Sequence, residues 1–252
     1  VTLSPIDSDD AQAATETGAD GTYELVVDEP GEWRFLVGRQ WGQQSSFRHT
    51  VPAATQFVLD FELPESKVTG VVRGPGGQLQ NNVSLSLTKV EDGQEIETGW
   101  MGRRQTNTDS EGRYTFREVS PGTYNLRAAH GGRNNSDPLG QVLIANVDVS
   151  EDAETEKNVE LPRAGIVRGL VTDMAGNPVD GARIQIRTLD GFRVTARDNE
   201  TADSSGEYEI EELAPASLQV RARGENGWGE FVNVRVRSQS AVDINLRVPT
   251  GE

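Results

Sequence analysis

Apolar and polar residues alternate along this chain in short runs, and the runs recur in a fixed order between Gly, Pro, Asn and Asp. Gly18-Ala19-Asp20-Gly21 precedes Thr22-Tyr23-Glu24-Leu25. Thr108-Asp109-Ser110-Glu111-Gly112 likewise precedes Arg113-Tyr114-Thr115-Phe116, and Ala202-Asp203-Ser204-Ser205-Gly206 precedes Glu207-Tyr208-Glu209-Ile210. A second turn follows in each case. Glu29-Pro30-Gly31 leads into Glu32-Trp33-Arg34-Phe35-Leu36-Val37, Ser120-Pro121-Gly122 into Thr123-Tyr124-Asn125-Leu126-Arg127-Ala128, and Ala214-Pro215-Ala216 into Ser217-Leu218-Gln219-Val220-Arg221-Ala222. A period of two predicts strands with one face buried and one wet. Pro presets φ at the turn, and Gly, where present, frees the next position.

The three stretches also close alike, on Phe61-Glu62-Leu63-Pro64, Val159-Glu160-Leu161-Pro162 and Leu246-Arg247-Val248-Pro249. Pro cannot donate to a ladder and so ends the last strand. The second and third stretches open alike, Val68-Thr69-Gly70-Val71-Val72-Arg73-Gly74 matching Val167-Arg168-Gly169-Leu170-Val171-Thr172-Asp173, and then present Val83-Ser84-Leu85-Ser86-Leu87 and Ala182-Arg183-Ile184-Gln185-Ile186. Many short strands with no 3.6-residue apolar stripe indicate an all-β chain of tandem sandwiches. The expected division is 1–64, 65–162 and 163–252, with short linkers near Glu65-Ser66 and Arg163-Ala164. Inward positions of the second unit are read as Val71, Leu85, Leu87, Tyr114, Phe116, Tyr124 and Leu126.

Val1-Thr2-Leu3 lines up with Ile184-Gln185-Ile186, which leaves the first unit without an opening strand. A missing strand bares backbone groups that folded proteins cover. Excision from a longer chain is the ordinary explanation, and donation of the strand by another chain the sharper one.

The third unit in particular, with Gly169-Leu170-Val171-Thr172-Asp173, Gly176-Asn177-Pro178-Val179, Gly181-Ala182-Arg183-Ile184 and Ala202-Asp203-Ser204-Ser205-Gly206-Glu207-Tyr208, resembles the carboxypeptidase regulatory-like domain. The second unit matches with a longer insertion after its second strand, and the first shows only the later part of the pattern. The resemblance implies a transthyretin-like Greek-key sandwich of about seven strands, related to collagen-adhesin B-type modules. It implies little about function, because such modules accompany many kinds of protein. The likeness is to an accessory sandwich and not to a peptidase domain. Some B-type modules carry an internal Lys–Asn bond promoted by a buried acid. Lys67 and Asn158 stand in suggestive places, but the strand Tyr124-Asn125-Leu126-Arg127 lacks the Glu, so no such bond is expected.

Forty acidic and twenty-four basic residues give a net charge of -16, which repels phosphate backbones and argues against nucleic acid as a partner. Lys67, Lys89 and Lys157 are the only lysines, a bias that GC-rich coding explains more simply than a saline setting. With no cysteine, disulfides and thiolate metal sites are excluded, while compartment stays open. No apolar run is long enough to span a bilayer as a helix.

His49 and His130 are the only histidines and fall in different units; neither a Gly-x-Ser-x-Gly elbow nor His-Glu-x-x-His occurs. No catalytic residue, cofactor or metal is therefore expected. Asp20, Asp109 with Glu111, and Asp203 recur in one turn, too few ligands for calcium and ordinary for hairpins. Asp7, Asp9 and Asp10 read as a solvated loop, and Asn82, Asn134 and Asn199 as glycosylation acceptors only where the source uses them.

Trp41, Trp100 and Trp228 each neighbour glycine, and loop indoles can stack on sugars. Trp41 and Trp228 read first as rings closing a sandwich end, which leaves Trp100, in the second unit's insertion, as the best contact candidate. The leading expectation is a non-catalytic structural, adhesion or spacer array of a larger secreted or cell-surface protein. Its partners would be other domains of the same longer chain or surface-assembly proteins. The alternatives are a glycan-binding accessory module and an interaction domain of an envelope assembly.

Overall fold

The computed structural model describes residues 1–5, 13–38, 44–96, 104–130, 138–194 and 201–249, and every regular element among them is a β-strand. β1 (Thr2–Pro5), β2 (Ala13–Ala14), β3 (Gly31–Val37) and β4 (Ser45–Val51) form an antiparallel sheet in the order β2-β1-β3-β4.

The next stretch carries β5 (Lys67–Arg73), β6 (Val83–Glu91), β7 (Gln94–Glu95), β8 (Arg104–Asn107), β9 (Arg113–Phe116), β10 (Gly122–His130), β11 (Val142–Val149), β12 (Glu154–Glu156) and β13 (Val159–Glu160). One sheet runs β11-β10-β6-β7 with β8 also on β6, and the other β12-β5-β13 with β9 also on β5.

The last stretch repeats the plan with β14 (Gly165–Thr172), β15 (Arg183–Thr188), β16 (Glu207–Leu213), β17 (Ser217–Gly224), β18 (Gly227–Trp228), β19 (Val232–Arg235), β20 (Ala241–Asp243) and β21 (Leu246–Arg247). Its sheets run β16-β14-β20, with β21 also on β14, and β15-β17-β18, with β19 also on β17. In both stretches the opening strand is central. β5 pairs antiparallel with β9 and parallel with β12 and β13, as β14 does with β16, β20 and β21.

The described apolar residues gather into three clusters that follow the chain. In the middle one, Val68, Phe116 and Val159 of one sheet meet Leu85, Leu126 and Val147 of the other, which makes the stretch a two-layer sandwich. Full burial of one such side chain contributes about 1.5–3 kcal/mol. The expected inward residues hold with one exception. Val68 and Val72 are fully buried and Val71 is only half-buried on the opposite face. Three apolar residues around Gly70 hide the period of two, and Gly70 itself points inward.

A wet outer face is also not general. Asn125 and Arg127 on the outer side of β10 are buried, because Glu95 of β7 and the Arg193 carbonyl of the next stretch cover them. Nor are the expected linkers free. Ser66 is buried, its hydroxyl donating to the Ser150 carbonyl (2.9 Å) while its own carbonyl accepts from the Val119 amide. Ala164 is buried and Arg163 bridges Leu139.

The first stretch keeps the register of the third where both have strands: Leu3 faces Phe35 as Ile186 faces Val220. No described residue takes the place of β5 or β14 there. The flanking runs 22–27 and 56–63 carry no ladder.

Candidate functional site

A tyrosine device recurs three times. After each Asp-containing turn a Tyr hydroxyl donates to a carbonyl near the end of the same stretch: Tyr23 to Leu59 (2.6 Å), Tyr114 to Lys157 (2.5 Å) and Tyr208 to Ile244 (2.6 Å). In the second and third stretches the bond passes over the glycine of the central strand. A Cβ on Gly70 would lie 2.0 Å from the Lys157 oxygen, and one on Gly169 2.0 Å from the Ile244 oxygen. Glycine is required there for close approach, at a backbone conformation any residue can adopt. Burial pushes the Tyr114 and Tyr208 hydroxyls well above the usual phenol range. The sequence shows the tyrosines and glycines recurring in step, but not the carbonyl that joins them.

The aspartates of the preceding turns are occupied by the backbone. Asp109 Oδ1 accepts the amides of Glu111 and Arg113, and Asp203 Oδ1 those of Ser205 and Glu207, with Gly112 (φ 70) and Gly206 (φ 76) at the left-handed position. Asp173 does the same for Ala175 and Asn177, and Asp20 accepts from the Thr22 amide and hydroxyl. The carboxyls of Asp20, Asp173 and Asp203 are held below the usual range by these bonds. Among the described residues no group of three His, Asp or Glu side chains is arranged to hold a metal ion.

Trp41 and Trp100 lie outside the described residues, as do Asp7, Asp9, Asp10, Asn134 and Asn199. Trp228 is described, with 37% of its surface exposed on β18. It does not join the core. The Arg221 guanidinium stands over its ring at 4.2 Å and over Phe231 at 4.2 Å, while Arg187 covers Phe231 at 3.4 Å. Gln185 accepts from Arg221 (2.7 Å), and Gln219 accepts from Arg187 (2.9 Å) and donates to Asn233. Because β15, β17 and β19 are neighbours, alternate outward residues of each form one polar-aromatic face. Phe231 and the two arginines were not singled out from sequence, since only pairing across strands collects them.

His49 stacks on Phe57, and His130 ends β10 in the next stretch, so the two histidines share no site. Lys67 pairs with Glu154 (2.7 Å), whereas Asn158 accepts from the Val71 amide and donates to Glu156.

Two junctions are densely bonded. Arg104, buried and with its pKa lowered by that burial, donates to the carbonyls of Arg117 (2.8 Å) and Glu118 and to the hydroxyl of Ser45 (2.9 Å) in the first stretch. The Ser45 hydroxyl donates in turn to the Glu118 carbonyl. Further on, the Gly140 amide donates to Pro162, Ala164 to Pro138, and Gln141 to Glu212 (2.7 Å) in the third stretch. A Cβ on Gly140 would fall 2.7 Å from Ala214 Cα. Arg127 donates to the Arg193 carbonyl (2.7 Å) and pairs with Glu95 (2.6 Å).

No curated protein matches the chain. Among solved structures, the minor pilin GBS52 of Streptococcus agalactiae aligns at 18% identity over 75% of this chain and 98% of its own, with a TM-score of 0.34. The Bacillus anthracis TIE protein aligns at 16% identity with a TM-score of 0.30; the alignment covers 98% of this chain, which spans 46% of that protein. A streptococcal ancillary pilin aligns at 12% identity over 86% of this chain and 75% of its own, with a TM-score of 0.30. The carboxypeptidase regulatory-like domain model matches residues 67–162 and again 166–248, well over half of the sequence. The chain therefore belongs to the carboxypeptidase regulatory-like domain family, of which it carries two successive copies.

Proposed function

We propose that the chain is an array of three β-sandwich modules, 1–64, 65–162 and 163–252, that acts as a non-catalytic spacer in a larger secreted or cell-surface protein. The observation that carries this reading is the backbone bonding at the second junction, where residues 138–141 bond to both 162–164 and 212–213. Flexible linkers leave their backbone to solvent; here the amides of Gln141 and Ala164 reach carbonyls across the joint, and that of Gly140 reaches the Pro162 carbonyl beside it. With Arg127 bonded to Arg193 beside them, the joint holds one orientation. A fixed orientation suits presentation of neighbouring domains, or of surface-assembly partners, at a defined distance. The test is a pair of spin labels, one at Ser84 and one at Ser204. A narrow distance distribution that broadens in Gly140→Val with Arg127→Ala is expected, and a broad distribution in the unaltered protein would refute the spacer reading.

The Trp228, Phe231 and Arg221 face supports a second reading, a glycan-contacting surface with Gln219 and Asn233 as hydrogen-bonding groups. It predicts a sugar-dependent change in tryptophan emission that Trp228→Ala abolishes. No response across a broad glycan panel removes it.

A further inference from the structure

Charge is segregated between the two sheets of the third stretch. On the outer side of β15, β17 and β19, Arg183 faces Arg223, Gln185 faces Arg221, Arg187 faces Gln219, and Arg235 faces Ser217. No outward position on these three strands is acidic, although acids outnumber bases forty to twenty-four in the chain. The other sheet has the reverse bias, with Glu207, Glu209 and Glu211 exposed along β16. Like charges directly opposite each other, as Arg183 and Arg223 are, destabilise a sheet, so folding alone does not favour this pattern. Among the described residues no carboxylate lies within ion-pair distance of any of the five arginines. Nor does β16 neutralise them from behind. Stacked sheets lie about 10 Å apart, and exposed charges are screened over about 8 Å at physiological salt.

Two of these guanidiniums are held in place before any ligand arrives. Arg187 Nε donates to Gln219 (2.9 Å) and Arg221 Nε to Gln185 (2.7 Å), both lie over Phe231, and Arg221 also lies over Trp228. Their Nη groups have no acceptor among the described residues. Partial burial, and then the charge of Arg187, hold the Arg221 pKa below its usual value, a cost that a bound anion would relieve. We infer that this face binds a uronate-bearing polysaccharide, whose carboxylates accept from the Nη groups of Arg187 and Arg221 and, further along the same strands, from Arg183 and Arg223. The inference rests on the glycan-contacting reading above and names the charge of the glycan. A guanidinium already occupies one side of each ring, so the face offers N–H edges more than bare rings. The planar fork of Arg matches a carboxylate bidentately, and its orientation here is already fixed. Arg183 and Arg187 stand four residues apart on β15, about 13 Å at strand rise, which suits acids repeated along one extended chain. Gln219 and Asn233 lie in the same cross-strand row as Arg187, so amides stand ready for hydroxyls beside each carboxylate. That pairing of acid with hydroxyl favours a sugar acid over an acidic peptide.

The probes are oligogalacturonate and its fully methyl-esterified form, which keeps the sugar and removes the charge, titrated calorimetrically into the full chain. The acid form is expected to bind at least about ten-fold more tightly than the ester, and to weaken as salt is raised. Arg221→Ala should weaken the acid form by about ten-fold or more, and Arg221→Lys, which keeps the charge but not the fork, by an intermediate factor. An unchanged melting transition in both variants shows that the loss is not one of folding. Equal binding of acid and ester overturns the proposal and leaves the glycan reading standing, whereas silence of both forms and of neutral glycans removes the two together. Equally tight binding of a DNA oligonucleotide also overturns it, making the face a general polyanion surface. So does self-association in sedimentation that Arg221→Ala abolishes, which would make the acidic face of a second copy the occupant.

Discussion

Replacing Gly169 with alanine tests whether the tyrosine bond and the central strand form one device. The added methyl would sit 2.0 Å from the Ile244 oxygen and 2.6 Å from its carbon, both backbone atoms that a rotamer change cannot clear. Relief requires β14 and the run at Ile244 to part. Such overpacking costs about 1–3 kcal/mol. Displacing the carbonyl also strains the Tyr208 hydroxyl bond, whose net contribution is about 0.5–1.5 kcal/mol. Against this, alanine in a strand gains about 0.5–1 kcal/mol over glycine. The clash wins, and a loss of about 2 kcal/mol follows, equivalent to roughly a 30-fold rise in opening. Native-state hydrogen exchange at β14, β16 and β20 reads that figure without averaging over the rest of the chain. Tyr208→Phe alone should cost about 1 kcal/mol. The double substitution should cost less than the sum, because the methyl has already spoiled the bond. Stability unchanged or raised in Gly169→Ala, or full additivity, would refute the coupling.

Acid should weaken the Asp turns: the Asp173 carboxyl is depressed by the Asn177 side chain and amide, and that of Asp203 by the Glu207 amide and the Ser205 hydroxyl, so their stabilisation is present above the unfolded pKa of about 3.9 and is lost as pH falls through the lower folded values. Melting temperature against pH should drop below about pH 4, and less steeply in Asp203→Asn, which keeps an acceptor without titrating. Leu85→Ala, in the fully buried core of the second stretch, should cost about 2–5 kcal/mol in urea unfolding. Arg221→Ala should remove about 0.5–1 kcal/mol of ring contact and shift Trp228 emission, while leaving the core melting transition nearly in place.

Much of the fold was legible because it is local. The Asp-x-x-Gly turns, the Tyr-x-apolar strands after them and the closing Pro are written in neighbouring residues, and the alignment of Val1-Thr2-Leu3 with Ile184-Gln185-Ile186 predicts a register that the paired strands keep. Val71 was misread because Val71 and Val72 are equally apolar and only the neighbouring sheet decides which turns inward. The joints were missed for another reason. Gln141 meets Glu212 some seventy positions away, and polar residues give no periodic signal for such meetings. The Arg187, Phe231 and Arg221 face escaped likewise, since it exists only when three strands lie side by side. Trp41 and Trp100 fall outside the described residues, so the indole reading rests on Trp228 alone.

The parallel pairing of opening and closing strands has a mechanical consequence. β5 lies alongside β12 and β13, and β14 alongside β20 and β21, so the two ends of each sandwich leave at opposite poles. Tension pulled through the chain then slides these strands past each other and loads their hydrogen bonds in shear, all at once, where a hairpin at the ends would unzip one bond at a time.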